Sequence, residues 1–429
     1  MLRAERNAPT HERPMAPAAA YAVSVYDYAT PGAVMRCYYP AGGKEGGKAK
    51  GVRWLPHRMY LYGYQVFLLN VIGNVENPRP LWARALIELP LTLLVTPIMY
   101  IWFCLFVAPI QASSCEPLLE PPDGKKWPVV VFSHGLAGHR SAYSELCTRL
   151  ARRGVFVAAL EHMDGSASMS ACCTGSTSSE HVFPHWLQYV HSNGTRKWRV
   201  GQLDLRAKEV NHALYIIRKW ASATPAELNC AYWMSPTFQS ERELSHHFWH
   251  KLDADNAVIA GHSFGAATAI RCLGLSPFAC AVLFDPWMLA VDPEEHACGE
   301  KPDVALNSDR WNPALLGMQK RNSDVWREYT SRRTAPTPTL EVAGTSHIDH
   351  SDFPIKIGWS APLPRVSRSR ARTPAHRMLE VCADFAHAAV VGRGSSEAFQ
   401  SAVGDVRGAH ADILQPYSWD ASAGAAGVE

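Results

Sequence analysis

The sequence has little net charge and lacks the features that define several large classes of protein. Its 42 lysine and arginine residues nearly balance 39 aspartate and glutamate residues, which gives a formal charge of +3. So small an excess provides no argument for a nucleic-acid partner, which a strongly basic surface would favour. Paired cysteines at zinc-ligand spacing are also missing, so the sequence predicts no resident metal.

The cysteines and the first residues of the chain exclude two further possibilities. The 11 cysteines are scattered, and only Cys172 and Cys173 are neighbours. An odd, dispersed set is not a disulfide framework, and it favours a reducing, intracellular compartment. Residues 1–20 carry charged side chains and no apolar run. They do not have the pattern of a cleavable secretory signal, so we expect a flexible leader.

The most informative stretch is residues 258–270, VIAGHSFGAATAI. Three apolar residues run directly into Gly-His-Ser-Phe-Gly, and an alanine-rich stretch without proline follows. This order predicts a strand, a sharp turn and a helix, with Ser263 exposed at the turn as a nucleophile. The backbone N–H of Phe264 is then expected to face a developing oxyanion. A tight glycine turn in an ordinary βα unit is the alternative interpretation.

Apolar runs and predicted helices alternate along the rest of the chain. The runs have the composition of buried parallel strands and lie at residues 129–132, 155–160, 254–260, 279–284, 304–307 and 338–343. Stretches 143–153 and 196–219 have helical character, and residues 21–39 predict a β-hairpin. The alternation predicts a mostly parallel sheet with helices on both faces. We expect one α/β-hydrolase domain over residues 21–391 and a mostly mobile tail over 392–429.

A serine hydroxyl needs a base to take its proton and an acid to orient that base. The order Ser…Asp…His along a chain is that of α/β-hydrolases. His347 follows the last predicted strand and is the preferred base, with His350 as its rival. Asp285 ends the strand after the nucleophile helix, whereas Asp309 follows the next strand. Spacing alone favours Asp285 only modestly.

The loop after the first parallel run is a second place where we expect chemistry. Residues 133–136, SHGL, follow the apolar run at 129–132. In hydrolases built on such a sheet this loop supplies the second oxyanion donor, which here is the N–H of Leu136. We expect His134 to shape the loop rather than to act as the base. A base must also reach Ser263 with an acid behind it.

Several stretches together resemble one known family. They are Cys37-Tyr38-Tyr39-Pro40, Trp54-Leu55-Pro56, Val131-Phe132-Ser133-His134-Gly135-Leu136, Val157-Ala158-Ala159-Leu160-Glu161-His162, Arg206-Ala207-Lys208-Glu209, Gly261-His262-Ser263-Phe264-Gly265-Ala266-Ala267-Thr268, Phe284-Asp285-Pro286-Trp287-Met288, Gly344-Thr345-Ser346-His347 and Ser351-Asp352-Phe353. In this order they resemble the calcium-independent platelet-activating factor acetylhydrolases, plasma and type II intracellular. The chain departs from the family pattern at Ala266, where members usually have Gly, and at Pro286, where they usually have Ala.

The resemblance implies a serine-dependent phospholipid esterase of the 1-alkyl-2-acetylglycerophosphocholine esterase type, which removes short or oxidised sn-2 acyl groups. It implies Ser263 as nucleophile, Asp285 as acid and His347 as base. The oxyanion donors would be the N–H groups of Leu136 and Phe264. No metal or cofactor is implied. The alternatives are another lipase or carboxylesterase on the same fold, or a non-catalytic lipid-binding protein.

One apolar segment, residues 83–110, is unusual for a soluble domain. It carries no charge from residue 89 to 110, a length that could span a membrane. However, it contains prolines, and the stretches on both sides of it resemble parts of one domain, which counts against a single span. The family has an apolar helix at this point of the chain that lies on lipid surfaces. A spanning helix and a buried core segment remain as alternatives.

We therefore expect residues 83–110 to contact a membrane or lipid surface, with Trp102, Phe103 and Phe106 as anchors. The arginines within residues 365–377 could add attraction to anionic lipid. The expected protein is membrane-associated and intracellular, and phospholipid is its expected substrate.

Overall fold

The computed structural model describes residues 21–42, 51–72, 97–98, 101, 107–172, 185–190, 195–222, 232–233, 248, 250–297, 299–309, 311–315, 317–335, 337–356 and 373–417. Several predicted features lie outside these ranges. They are the leader (1–20), most of the apolar segment with Trp102, Phe103 and Phe106, most of the basic stretch (365–372) and the end of the tail (418–429).

The strands include the predicted hairpin and all of the predicted parallel runs. In chain order they are β1 (Ala22–Thr30), β2 (Ala33–Ala41), β3 (Ser113–Ser114), β4 (Trp127–Ser133), β5 (Phe156–Glu161), β6 (Met169–Cys172), β7 (His185–Gln188), β8 (Tyr232–Trp233), β9 (Leu252–His262), β10 (Cys280–Phe284), β11 (Asp303–Ser308), β12 (Ala314–Leu315), β13 (Lys320–Arg321), β14 (Thr339–Val342) and β15 (Leu414–Pro416).

Most of these strands form one sheet in the order β15-β14-β11-β10-β9-β4-β5-β2-β1-β3, with β8 beside β1. The central strands from β14 to β5 run parallel to one another. The strands β1, β2 and β15 add antiparallel pairs on either side of them. Because parallel strands end at the same edge, the segments after β4, β9, β10 and β14 all meet there.

The helices cover both faces of this sheet. They are α1 (Arg58–Ile72), α2 (Ser144–Arg152), α3 (Arg196–Ser222), α4 (Phe264–Leu275), α5 (Pro293–His296), α6 (Asn322–Arg332), α7 (Phe353–Lys356), α8 (Ala375–Gly392) and α9 (Ser396–Ala409). Among the described helices, none has both the length and the apolar character needed to cross a bilayer.

Alternating side chains of β4 show how the two layers are built. Val129 and Val131 pack into the core under α3 and α4. Val130 and Phe132 point the other way, into the core under α2 and α8. All four side chains are buried, as the continuous apolar run predicted for a central strand. The predicted arrangement of helices on both faces is confirmed.

The segment after residue 391 differs from the expected mobile tail. Helix α9 packs on α8 and buries Phe399 and Val403. Strand β15 then pairs antiparallel with β14, with Leu414 opposite Val342. The prediction considered only the apolar content of the Gly-, Ser- and Ala-rich end. It overlooked the amphipathic stretch before that end, and the domain extends at least to residue 417.

Candidate active site

Ser263 lies in the turn that follows β9, and the backbone geometry of this turn is unusual. The Ser263 φ of 56° and ψ of −117° lie outside the regions that most residues adopt. Two backbone bonds hold the turn, from Ser263 N–H to Phe284 O at 2.9 Å and from Trp287 N–H to Ser263 O at 3.1 Å. A Cβ on Gly261 would overlap the backbone of Gly265. The predicted strand, turn and helix are confirmed.

Asp285 directly follows β10, which ends at Phe284; it is fully buried and has a φ of 44°. Its oxygens accept hydrogen bonds from Ser308 N–H at 2.7 Å, from Ser308 Oγ at 2.5 Å and from His347 Nδ1 at 2.9 Å. Burial alone would raise the pKa of Asp285. The imidazoles of His350 and His347 nevertheless hold this pKa well below its ordinary value, so the group is a carboxylate at neutral pH.

His347 opens a short 3₁₀ turn, His347–His350, that follows β14. Because Asp285 engages Nδ1, the other ring nitrogen, Nε2, is the atom able to accept a proton. The side chain is 25% exposed, and burial lowers the pKa of His347 below 6.5 even though Asp285 acts to raise it. The ring is therefore neutral at pH 7 and accessible, as a general base requires.

His350, the alternative base, contacts the same Asp285 carboxylate but lies in a different environment. Its Nε2 is 3.3 Å from the Asp285 oxygen that His347 also contacts, and its Nδ1 lies 3.4 Å from Cys382 Sγ. The His350 side chain has no exposed surface. A buried ring cannot reach a substrate, so the geometry favours His347 over His350 as the base.

The rival acid, Asp309, supports the turn that carries the base. Its Oδ2 accepts a hydrogen bond from Gly344 N–H at 3.1 Å, and its own N–H is donated to Thr345 Oγ1 at 3.3 Å. Asp285 is the carboxylate that the structure bonds to His347. The departure at Pro286 leaves this contact intact, and its carbonyl accepts a bond from Asn322 Nδ2 at 2.9 Å.

Sequence reasoning missed Trp311, which packs directly on the base. The rings of Trp311 and His347 are stacked, with centroids 3.4 Å apart and planes 6° from parallel. Tyr417, in the segment expected to be mobile, donates a hydrogen bond to Trp311 O at 3.2 Å. An indole face fixes the imidazole plane and stabilises the positive charge that protonation creates. The available signal was an aromatic residue just after the carboxyl end of β11.

The base lies against the residue that precedes the nucleophile. The His347 ring centroid is 4.4 Å from that of His262, the residue immediately before Ser263. His262 Nδ1 is hydrogen-bonded to Tyr143 Oη at 2.7 Å. Burial and the neighbouring histidines lower the pKa of His262 well below its ordinary value. His262, the residue before the nucleophile, is thus neutral and packs against the ring of the base.

The two expected oxyanion donors come from adjacent strands. Leu136 lies in the loop after β4, and Phe264 is the first residue of α4. A Cβ on Gly265 would overlap the backbone at Ser133, so glycine allows the nucleophile turn to approach the β4 loop closely. Within the described ranges, neither the Leu136 N–H nor the Phe264 N–H is donated to a protein acceptor.

One group of metal-ligating residue types occurs in the part of the chain that the structure describes. His262, Asp285 and His347 offer ligand atoms within 4.8 Å of one another. The Asp285 oxygens already accept bonds from Ser308 and His347, which accounts for the cluster as a hydrogen-bonded acid and base.

Comparisons with known proteins identify several similar chains. The chain is 32% identical over 255 residues to the platelet-activating factor acetylhydrolase of Gallus gallus, covering 55% of this chain and 55% of that protein. It is 28% identical over 339 residues to the enzyme of that name from Canis lupus familiaris, covering 78% and 66%. A putative phospholipase A2 of Schizosaccharomyces pombe is 32% identical over 275 residues, covering 56% and 62%.

The chain thus spans between 55% and 66% of the length of these curated relatives. Among solved structures, a ferulic acid esterase from Streptomyces cinnamoneus superposes with a TM-score of 0.52 at 16% identity. The match covers 88% of this chain and 91% of that one. At this identity the likeness concerns the fold alone. Together with the mostly parallel sheet it confirms the α/β-hydrolase fold.

The decisive comparison is with family models. The model for "Platelet-activating factor acetylhydrolase, isoform II" matches residues 98–383, a range that contains Ser263, Asp285, His347, Leu136 and Phe264. The matched range also exceeds half of the 429-residue chain. The chain therefore belongs to the platelet-activating factor acetylhydrolase family.

Proposed function

We propose that this protein is a serine esterase that hydrolyses the sn-2 ester of phospholipids with short or oxidised acyl chains. The observation that carries the proposal is the Asp285–His347 hydrogen bond of 2.9 Å, located where β9 presents Ser263. The names of the relatives, platelet-activating factor acetylhydrolase and putative phospholipase A2, support a phospholipid as the substrate.

The proposed reaction begins when His347 Nε2 takes the Ser263 hydroxyl proton as the oxygen attacks the ester carbonyl. Asp285 holds Nδ1 and stabilises the imidazolium that forms. The carbonyl oxygen, now negative, accepts hydrogen bonds from the Leu136 and Phe264 N–H groups. His347 then gives its proton to the leaving lysophospholipid oxygen. Water, deprotonated by the same ring, releases the acid and restores Ser263.

The test combines covalent labelling with a substrate series. A fluorophosphonate probe should label wild-type protein and not Ser263→Ala, because the probe reacts with an activated serine. Absence of labelling in the wild type would contradict every esterase assignment and favour a non-catalytic lipid-binding protein. Phosphatidylcholines of graded sn-2 chain length, assayed without calcium, then measure specificity. Rates should fall as the sn-2 chain lengthens, and a flat profile would favour a general lipase or carboxylesterase.

We further propose that residues 83–110 lie on a lipid surface. The ends of this segment support the idea, because Ile110 N–H is donated to Val52 O at 2.8 Å within the hydrolase domain. The described residues on both sides of the segment, α1 and Ile110, thus belong to one domain, which disfavours a single span. Ile98 and Ile101, within the segment, are 62% and 58% exposed. Apolar side chains of this kind suit the interface between headgroups and acyl chains.

Alkaline carbonate extraction of membranes from cells that express the protein tests this location. Release of the protein into the supernatant supports surface binding. Retention in the pellet would mean that the segment spans the bilayer, and complete absence from untreated membranes would contradict both. This membrane-associated, intracellular location is a proposal separate from the esterase chemistry.

A further inference from the structure

The direction of the Leu136 N–H is determined by the carbonyl of the preceding residue. A trans peptide unit is planar, so the Gly135 C=O and the Leu136 N–H point in opposite directions. The Gly135 oxygen accepts two hydrogen bonds, from His134 Nδ1 at 2.7 Å and from Gly138 N–H at 3.0 Å. The two hydrogen bonds that fix the direction of the Gly135 oxygen therefore also fix the Leu136 N–H, which points the opposite way.

The His134 ring can donate this bond only in one tautomer, and the structure selects it. Nε2 of His134 accepts a hydrogen bond from the backbone N–H of His162 at 3.1 Å. The proton of a neutral ring must therefore be on Nδ1, which faces the Gly135 oxygen. Burial, Arg206 and His162 together lower the pKa of His134 well below its ordinary value, so the ring is neutral at pH 7.

The residues around His134 hold the rest of the loop. Arg206 Nη1 donates to the His134 carbonyl at 2.7 Å, and its guanidinium carbon lies 4.4 Å from the centre of the Phe264 ring. The Gly135 N–H is donated to Tyr143 Oη at 3.1 Å. Side chains thus fix consecutive peptides of the loop. One of them, Arg206, also contacts the ring of Phe264, whose N–H is the other expected oxyanion donor.

A second series of groups holds His162, the residue whose backbone N–H is donated to His134 Nε2. His162 Nε2 is 2.7 Å from Ser133 Oγ, and its Nδ1 is 2.6 Å from Glu209 Oε2. Glu209 Oε1 accepts the Met163 N–H at 2.8 Å. The His162 side chain has no exposed surface. The His162 ring therefore cannot contact a substrate, and its effect on the site is to fix the backbone N–H that orients the His134 ring.

We propose that His134 is a positioning residue, whose Nδ1–H bond to the Gly135 carbonyl aims the Leu136 N–H at the oxyanion. The inference rests on the proposed esterase function and deepens it. His134 does not touch the reacting atoms and takes no part in proton transfer. Its loss releases the Gly135–Leu136 peptide to rotate, which removes one oxyanion donor while the nucleophile, acid and base stay in place.

The test compares two amides that mimic different halves of the imidazole. In His134→Asn the amide nitrogen takes the place of Nδ1, so the bond to Gly135 O is retained. In His134→Gln the amide lies on the Nε2 side, and in His134→Leu no donor is left. Loss of one oxyanion donor lowers kcat by about 10²-fold in other enzymes, so Leu and Gln should lose that much. Asn should stay within about tenfold of wild type, and KM should change by less than about threefold in all three.

A trifluoromethyl ketone analogue of the substrate gives a readout that a merely structural role would not change. Its adduct with Ser263 carries an oxyanion, so its inhibition constant should rise in proportion to the fall in kcat/KM across the variants. The matched control is His139→Leu. His139 is another buried histidine of the same loop, and its Nδ1 accepts the Ser141 N–H at 3.2 Å instead of contacting Gly135. This control should keep wild-type kcat.

Equal losses in the Leu variants at positions 134 and 139, or equal activity of the Asn and Gln variants at position 134, would overturn the inference. So would an inhibition constant that stays constant while kcat falls. If His134→Leu fails to fold, the comparison of Asn with Gln still decides. A wild-type protein that neither reacts with a fluorophosphonate nor hydrolyses esters would instead refute the proposed function itself.

Discussion

Two regions of this molecule contain the same three kinds of group at the same edge of the sheet. One holds Asp285 and His347 beside Ser263, and the other is the series Ser133, His162 and Glu209. Distances in the second series, 2.7 and 2.6 Å, are as short as in a catalytic triad. A search for a hydroxyl, an imidazole and a carboxyl group in hydrogen-bonded series would select both regions.

Exposure and charge separate the two regions. The His347 side chain is 25% exposed, whereas that of His162 has no exposed surface. The pKa of Asp285 lies well below its ordinary value, whereas burial raises the pKa of Glu209 to about 8. The first carboxyl is therefore ionised at neutral pH and can stabilise an imidazolium, and the second keeps its proton. Residue types and spacing alone do not identify a catalytic site.

The two serines give the largest expected contrast. Ser263→Ala should lower kcat/KM by at least ~10³-fold and abolish fluorophosphonate labelling, because the hydroxyl is the attacking group. Ser133→Ala should keep the labelling, since its hydroxyl is fully buried. Labelling that persists in the first variant and disappears in the second would exchange the roles of the two regions. Labelling stoichiometry by mass spectrometry measures this directly.

The two carboxyl groups should differ almost as strongly when each is replaced by its amide. Asp285→Asn should cost at least ~10³-fold in kcat, because an amide cannot stabilise the imidazolium or hold the required tautomer. Glu209→Gln should have a mild effect, since a protonated carboxyl resembles an amide in charge and shape. Asp309→Asn should also be mild. Steady-state kinetics of the three variants checks this, and a severe loss in Asp309→Asn would transfer the role of acid to that residue.

The pH dependence of activity should depend on the region of Asp285 and His347 and not on that of His162 and Glu209. His347 must be neutral to accept a proton, and its pKa is lowered below 6.5 by burial. The midpoint of the acid-side loss of activity should therefore lie below the ordinary histidine value, and activity should fall by about tenfold per pH unit once the ring is protonated. A profile of log kcat/KM against pH measures the inflection. An inflection above pH 7 would mean that another group controls the rate.

The smallest expected effect is that of chelation. Asp285 and His347 bond to each other, and the proposed reaction routes no step through a metal. Incubation with EDTA followed by gel filtration should leave kcat unchanged, both with and without added calcium. Loss of activity that returns on addition of a divalent ion would show that the cluster of His262, Asp285 and His347 acts as a metal site.

The sequence was sufficient to predict the elements with the strongest local patterns. The strand, turn and helix around Ser263 are confirmed because apolar strand residues, two glycines and a small-residue helix all specify the same local structure. The other parallel strands are also confirmed, because continuous apolar runs specify buried strands. His134 was also predicted to shape its loop, and its bond to the Gly135 oxygen agrees with that.

Other parts depend on contacts between residues far apart in the chain, which local patterns do not contain. The stacking of Trp311 on His347 joins two loops, and the pairing of β15 with β14 joins the end of the domain to its sheet edge. The choice between His347 and His350 likewise needed their exposures. Position along the chain favoured His347, and the structure adds that the His350 side chain has no exposed surface.

The guanidinium of Arg206 touches both halves of the oxyanion site, through the His134 carbonyl and the Phe264 ring. In evolutionary terms this makes the two halves epistatic. A substitution that shifts one donor also disturbs the cation that supports the other, so the fitness effect of a change at either position depends on the residue at the other. We expect adaptive changes in this site to appear as paired substitutions around Arg206, with single intermediates less fit than either end point.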